Sequence, residues 1–140
     1  MPFRKSEILL NNALVLIAED EPFIALDLAL VIEDAGGMVV GPAASVEEAL
    51  ALIGAQTVAA AILDVNLGAQ DISPVAEILL GLRIPVILQT GVGAPPDLAA
   101  RFPDLIVHIK PCVAARLVAQ LETLIAGRLS AAPTDGRAAA

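Results

Sequence analysis

Five short apolar runs, each followed by a stretch of helical character, constrain this 140-residue chain more than any other feature. They are Ala13–Ala18, Met38–Gly41, Ala59–Leu63, Pro85–Leu88 and Leu105–Ile109. Their length suits strands, and their unbroken apolar character suits strands covered on both faces. The segments between them carry helix signals. Pro22 opens a helix to about Ala35 that Gly36-Gly37 ends. Ser45-Val46-Glu47-Glu48 has the spacing of a capping box, and its helix ends near Gly54. Ser73-Pro74 starts the next, with Pro at a first-turn position where no backbone donor is lost. After the Gly- and Pro-rich loop Thr90–Pro96 comes a short helix that ends before Pro103, and a last helix spans about Val113 to Ala126.

A strict β/α alternation implies an α/β fold: a parallel sheet with helices on both faces. Right-handed crossovers leave few topologies, and the expected one is a doubly wound five-stranded parallel sheet in the order 2-1-3-4-5. Residues 13–127 form this domain, 1–12 an N-terminal extension, and 128–140, which lose the periodicity, a disordered tail. No linker to a second domain is visible. Aromatic residues are 2% of the chain, so the core is built from Ala, Val, Leu and Ile. The formal net charge of −8 repels phosphate backbones and anionic lipid, which argues against nucleic acid and membrane as partners. The lone Cys112 fits a reducing compartment, no apolar run spans a bilayer, and no signal-peptide cleavage pattern follows the N-terminus. The expectation is a soluble, cytoplasmic domain.

In such a sheet, ligands bind beyond the carboxyl ends of the strands where the strand order reverses, here between strands 1 and 3. Glu19-Asp20-Glu21 follow strand 1 and Asp64 follows strand 3. Carboxylates gathered in one crevice need a cation or shared protons, and an oxygen-only set selects Mg²⁺, with Mn²⁺ as a substitute. Thr90 follows strand 4 and offers a hydroxyl, and Lys110 follows strand 5 ahead of Pro111. A carboxylate nucleophile, a cation, a hydroxyl donor and an ammonium suit phosphoryl transfer, which is catalysed mainly by positioning and charge neutralisation.

Val15-Leu16-Ile17-Ala18-Glu19-Asp20-Glu21-Pro22, Ile62-Leu63-Asp64-Val65-Asn66-Leu67, Thr90-Gly91 and Lys110-Pro111 together resemble the receiver domains of two-component response regulators. The resemblance covers about Leu14 to Ala126, and each motif falls at the end of an expected strand. It implies a flavodoxin- or CheY-like three-layer sandwich. It implies Asp64 as phosphoacceptor from a phosphohistidine on a histidine kinase or histidine phosphotransferase protein. Glu19, Asp20 and Asp64 would hold Mg²⁺ with the backbone carbonyl of Asn66, while Thr90 and Lys110 would each meet a phosphoryl oxygen. Asn66-Leu67-Gly68 and the segment Leu88–Gly93 look like the single-domain alphaproteobacterial receivers of the Phe-Ala-Thr-Gly type, with Leu88-Gln89 in place of Phe-Ala. A stand-alone receiver of this kind signals to a downstream protein or acts as a phosphate sink. It is not an enzyme with free-substrate turnover.

Two departures bear on mechanism. Glu19 stands where Asp is commoner, and Val107 stands three residues before Lys110 where an aromatic commonly reorients with the Thr. One alternative is a pseudo-receiver that binds a partner without phosphorylation. Another is a small aspartyl-phosphate phosphatase, which would need an acid two residues after the nucleophile, where Asn66 stands, and a substrate-covering cap. His108 is expected as a flank residue of strand 5, Cys112 as a packing residue, and Leu117, Leu121, Leu124 and Ile125 as the core face of the last helix.

Overall fold

The computed structural model describes residues 10–139, with side chains to residue 128. The chain runs β1 (Leu14–Ala18), α1 (Pro22–Asp34), β2 (Met38–Ala43), α2 (Val46–Ala55), β3 (Ala60–Asp64), β4 (Asn66–Leu67), β5 (Gln70–Asp71), α3 (Ser73–Gly81), β6 (Val86–Thr90), α4 (Pro96–Arg101), β7 (Ile106–Ile109) and α5 (Ala114–Ala139). The main sheet has the order β2-β1-β3-β6-β7, and every neighbouring pair is parallel. This is the expected 2-1-3-4-5 arrangement, with β6 and β7 as its fourth and fifth strands. The two-stranded antiparallel β4–β5 ribbon stands between Asp64 and the Ser73-Pro74 helix start, where the sequence pattern marks no element.

Strand side chains alternate between faces, and the core divides accordingly. Leu16, Ala18, Ala61, Leu63, Val86 and Leu88 pack toward α2 and α3, among them Val46, Ala49, Val75 and Leu79. Val15, Ile17, Ala60, Ile62 and Ile87 pack toward α1 and α5, against Leu28, Ile32, Leu117, Leu121 and Ile125. Each large aliphatic side chain so buried contributes about 1.5–3 kcal/mol. The expected core face of the last helix is therefore in place, with Leu124 partly buried beside it.

The α2 cap differs from the expected box by one residue. The Glu48 N–H donates to Ser45 Oγ at 3.1 Å, but the Glu48 carboxylate accepts from the N–H of Ala44 rather than from Ser45. Residues 1–9 of the expected extension lie outside the described residues. Leu10, also assigned to it, is instead core: it is 1% exposed and packs in the α1/α5 layer. A Cβ at Gly37 would lie 2.7 Å from Leu10 Cδ1 and 2.9 Å from Ile32 Cγ2, so the glycine makes room for that packing. At the other end, α5 continues to Ala139, where an irregular tail was expected from residue 128.

Candidate functional site

The rows that face α1 and α5 end in polar residues. Val15-Ile17 leads to Glu19, Ala60-Ile62 to Asp64, Ile87 to Gln89 and Ile106-His108 to Lys110. Period-two alternation thus aims four polar side chains at one place above the apolar layer. Backbone bonds hold the strand ends in register: the N–H of Glu19 donates to Ala43 O, that of Val65 to Gln89 O and that of Lys110 to Thr90 O, at 2.8–2.9 Å.

Lys110 Nζ donates to Asp64 Oδ2 at 2.8 Å and to Glu19 Oε1 at 3.2 Å. Glu19 Oε1 also accepts from Gln89 Nε2 at 2.9 Å, and Glu19 Oε2 from the N–H of Glu21 at 3.1 Å. Asp64 Oδ1 accepts from the N–H of Asn66 at 3.3 Å. Asp20 is exposed at the rim, where its Oδ2 accepts from the N–H of Gly68 at 2.8 Å. Gly68 has φ +61°, a left-handed conformation that glycine adopts without the Cβ penalty, and it turns the chain between β4 and β5.

Glu19, Asp20 and Asp64 each offer an oxygen within 4.8 Å of the others. Three carboxylates against one ammonium leave two negative charges, the charge of a divalent ion. The all-oxygen donor set, partly buried and partly open, therefore fits Mg²⁺ or Mn²⁺. Burial pushes the Glu19 carboxyl above its ordinary pKa, and the Asp64 charge pushes the same way, against the Glu21 N–H bond and Lys110. Burial alone would lower Lys110, but its hydrogen bond to Asp64 and the charges of Glu19 and Asp64 outweigh it and leave the ammonium above its ordinary value. The Glu19 shift thus reports its burial first, and the Lys110 shift the two carboxylates it faces.

Thr90 does not join this group. It continues the Val86-Leu88 row, one residue out of phase with Gln89, so it belongs to the opposite face. Its buried hydroxyl donates to Gly93 O at 3.1 Å and accepts from the N–H groups of Val92 and Gly93 at 3.1 and 3.2 Å. The structure therefore brings together Glu19, Asp20, Asp64 and Lys110, sets the Asn66 backbone beside Asp64, and leaves the Thr90 hydroxyl within its own loop.

Gln89 was read from sequence only as a departure from the Phe-Ala pattern, yet it is 1% exposed and bonded to Glu19. The signal was an amide in a strand that is otherwise apolar, in the same row as Ile87. His108 lies on β7 with its Nε2 against Gln120 Oε1 of α5, as a flank residue would. The Cys112 thiol donates to Ile109 O, and burial pushes it up in pKa, away from the thiolate.

No family profile and no curated protein sequence matches the chain. Solved structures do. The response regulator PhyR from Brucella abortus is 30% identical over 91% of this chain and 55% of its own, with a TM-score of 0.69, so the chain spans about half its length. The signal receiver domain of a signal transduction histidine kinase from Syntrophus aciditrophicus is 27% identical over 82% of this chain and 91% of its own, with a TM-score of 0.67. A response regulator receiver protein from Sinorhizobium medicae reaches a TM-score of 0.72 over 85% of this chain and 98% of its own; at 24% identity it speaks to the fold alone. Among the described residues no helix is long and apolar enough to cross a membrane. In fold this chain matches response-regulator receiver domains, and such proteins are its structural relatives.

Proposed function

We propose that this receiver accepts a phosphoryl group on Asp64 from a phosphohistidine of a histidine kinase or histidine phosphotransferase, and signals to a downstream protein or drains phosphate from a relay. The observation that carries the reading is one carboxylate, Asp64, 6% exposed at the end of β3, bonded to Lys110 at 2.8 Å and grouped with Glu19 and Asp20. Glu19, Asp20, Asp64 and the Asn66 carbonyl would hold Mg²⁺, which when bound neutralises phosphoryl oxygens. An Asp64 oxygen then forms the bond to phosphorus as the phosphorus–nitrogen bond of the donor breaks, with the electron pair leaving on the imidazole. Lys110 would pass from Glu19 to a phosphoryl oxygen. The protein would turn over no free metabolite, since it is itself the acceptor. A cytoplasmic receiver of the Phe-Ala-Thr-Gly group is the setting we favour.

A second reading, a partner-binding receiver that takes no phosphoryl group, draws support from Thr90. Its hydroxyl is already engaged by Val92 and Gly93 and would have to break away to reach a phosphoryl oxygen. Purified chain incubated with acetyl phosphate, with and without Mg²⁺, separates the two by intact mass. A single Mg²⁺-dependent phosphoryl addition, lost in Asp64→Asn, is expected. A folded chain that binds Mg²⁺ yet gains no mass, even from a phosphorylated kinase, would favour the second reading.

A further inference from the structure

Gln89 is an amide where the strand pattern calls for an aliphatic side chain. It continues the row of Ile87, is 1% exposed, and is register-paired with Asp64 on the neighbouring strand. A buried amide is destabilising unless it is hydrogen-bonded. Here its Nε2 donates to Glu19 Oε1 at 2.9 Å, the oxygen that Lys110 Nζ also approaches at 3.2 Å. The other oxygen, Oε2, takes the N–H of Glu21. Glu19 itself is a longer side chain than an aspartate, with one more rotatable bond to immobilise before its carboxylate can serve as a ligand.

Taking the proposed phosphoacceptor site as its basis, we infer that Gln89 is a positioning residue: it holds the Glu19 carboxylate in place for the metal, and keeps holding it when Lys110 leaves for a phosphoryl oxygen. The two donors on Oε1 differ in mobility. Lys110 reaches the site on a flexible stem from the end of β7 and is partly exposed. Gln89 sits within β6, where its carbonyl accepts from the N–H of Val65 and its neighbours are core. Gln89 is therefore the donor that can stay. In this view Glu19 and Gln89 work as a pair, the amide on one strand compensating for the extra length of the acid on another.

The test is a two-by-two set in the full chain: parent, Gln89→Met, Glu19→Asp and the double variant. Mg²⁺ affinity is read by calorimetry and by competition with Mn²⁺, and thermal stability is followed in chelator. Methionine keeps the shape of Gln89 without a donor. Aspartate keeps a carboxylate but withdraws it from the amide. Gln89→Met should weaken Mg²⁺ binding about tenfold in the parent, in line with the loss of a partner that orients a metal ligand. In the Glu19→Asp background the same change should matter less than about twofold, because the pair is already broken. Equal weakening in both backgrounds, or none in the parent, would overturn the role of Gln89 while leaving the phosphoacceptor reading standing. A parent chain that binds no Mg²⁺ would overturn both.

Discussion

The two sides of the site are built differently. On the β1–β3 side, Glu19, Asp64 and Lys110 come from three strands and meet only because those strands are neighbours or near-neighbours in one sheet. On the β6–α4 side, Thr90 spends its hydroxyl on residues two and three positions away. The first side is an assembly of distant groups under electrostatic tension. The second is a local turn closed on itself, with exposed Val92 at its tip. The contrast separates two jobs: the charged side can take up a cation with little rearrangement, whereas a response that uses Thr90 must first open the turn. With Val107 in place of an aromatic, no ring stands ready to follow that motion, so the Thr90–Pro96 loop itself would be the part that changes.

Lys110→Ala should have the largest effect, because it removes the one cation that the described residues place on the charged side. Without metal, Asp64 and Glu19 face each other unscreened, and stability should fall by about 1–3 kcal/mol, below the full cost of breaking a buried pair because Lys110 is partly exposed. Mg²⁺ should restore most of it and bind no more weakly than to the parent, since a competing cation is gone. Phosphoryl uptake should still slow by at least about tenfold, the effect of one transition-state charge contact. Denaturant melts with and without Mg²⁺, and uptake rates, check this. A strong loss of Mg²⁺ affinity would mean that Lys110 orders the carboxylates instead of balancing them.

Thr90→Val tests the other side, and the effect should be intermediate. Losing the hydroxyl leaves the N–H groups of Val92 and Gly93 without their acceptor and should cost about 1 kcal/mol. Mg²⁺ affinity should not change, because the hydroxyl has no part in the carboxylate cluster. Amide exchange at Gly91–Gly93 should quicken. An altered Mg²⁺ affinity would dissolve the distinction between the two sides.

The smallest effect concerns pH. The folded-state pKa of Glu19 lies above its ordinary 4.5, so the folded chain holds that proton more tightly than the unfolded chain does. Its contribution to stability is present below pH 4.5 and is lost as pH rises through the folded value. Saturating Mg²⁺, which binds the ionised form, should flatten that slope, and Glu19→Gln should remove it. Lys110 is raised as well, so its contribution holds below 10.5 and fades only as pH climbs through its own folded value, well away from the Glu19 window. Stability measured from pH 4 to pH 8 in chelator checks the sign.

Much of this was legible in the chain before any coordinates. Continuous apolar runs between capped helical segments can satisfy their backbone groups and bury both faces only as a covered parallel sheet, and right-handed crossovers left few strand orders, of which 2-1-3-4-5 was the expected one. The sheet in turn required that Glu19, Asp20, Asp64 and Lys110 gather at its carboxyl end, since each lies immediately after, or closes, a strand. Tertiary structure alone decided which of these groups share atoms. That Gln89 and Lys110 both donate to one oxygen of Glu19 depends on side-chain reach across β1, β3, β6 and β7, and sequence spacing carries no such information. The engagement of the Thr90 hydroxyl was decided there too: its motif names a donor, but the phase of β6 and the path of the next three residues choose its partner. The burial of Leu10 belongs with these. Periodicity marks where a segment has reason to be helical or extended, whereas packing decides which neighbouring residues join the core.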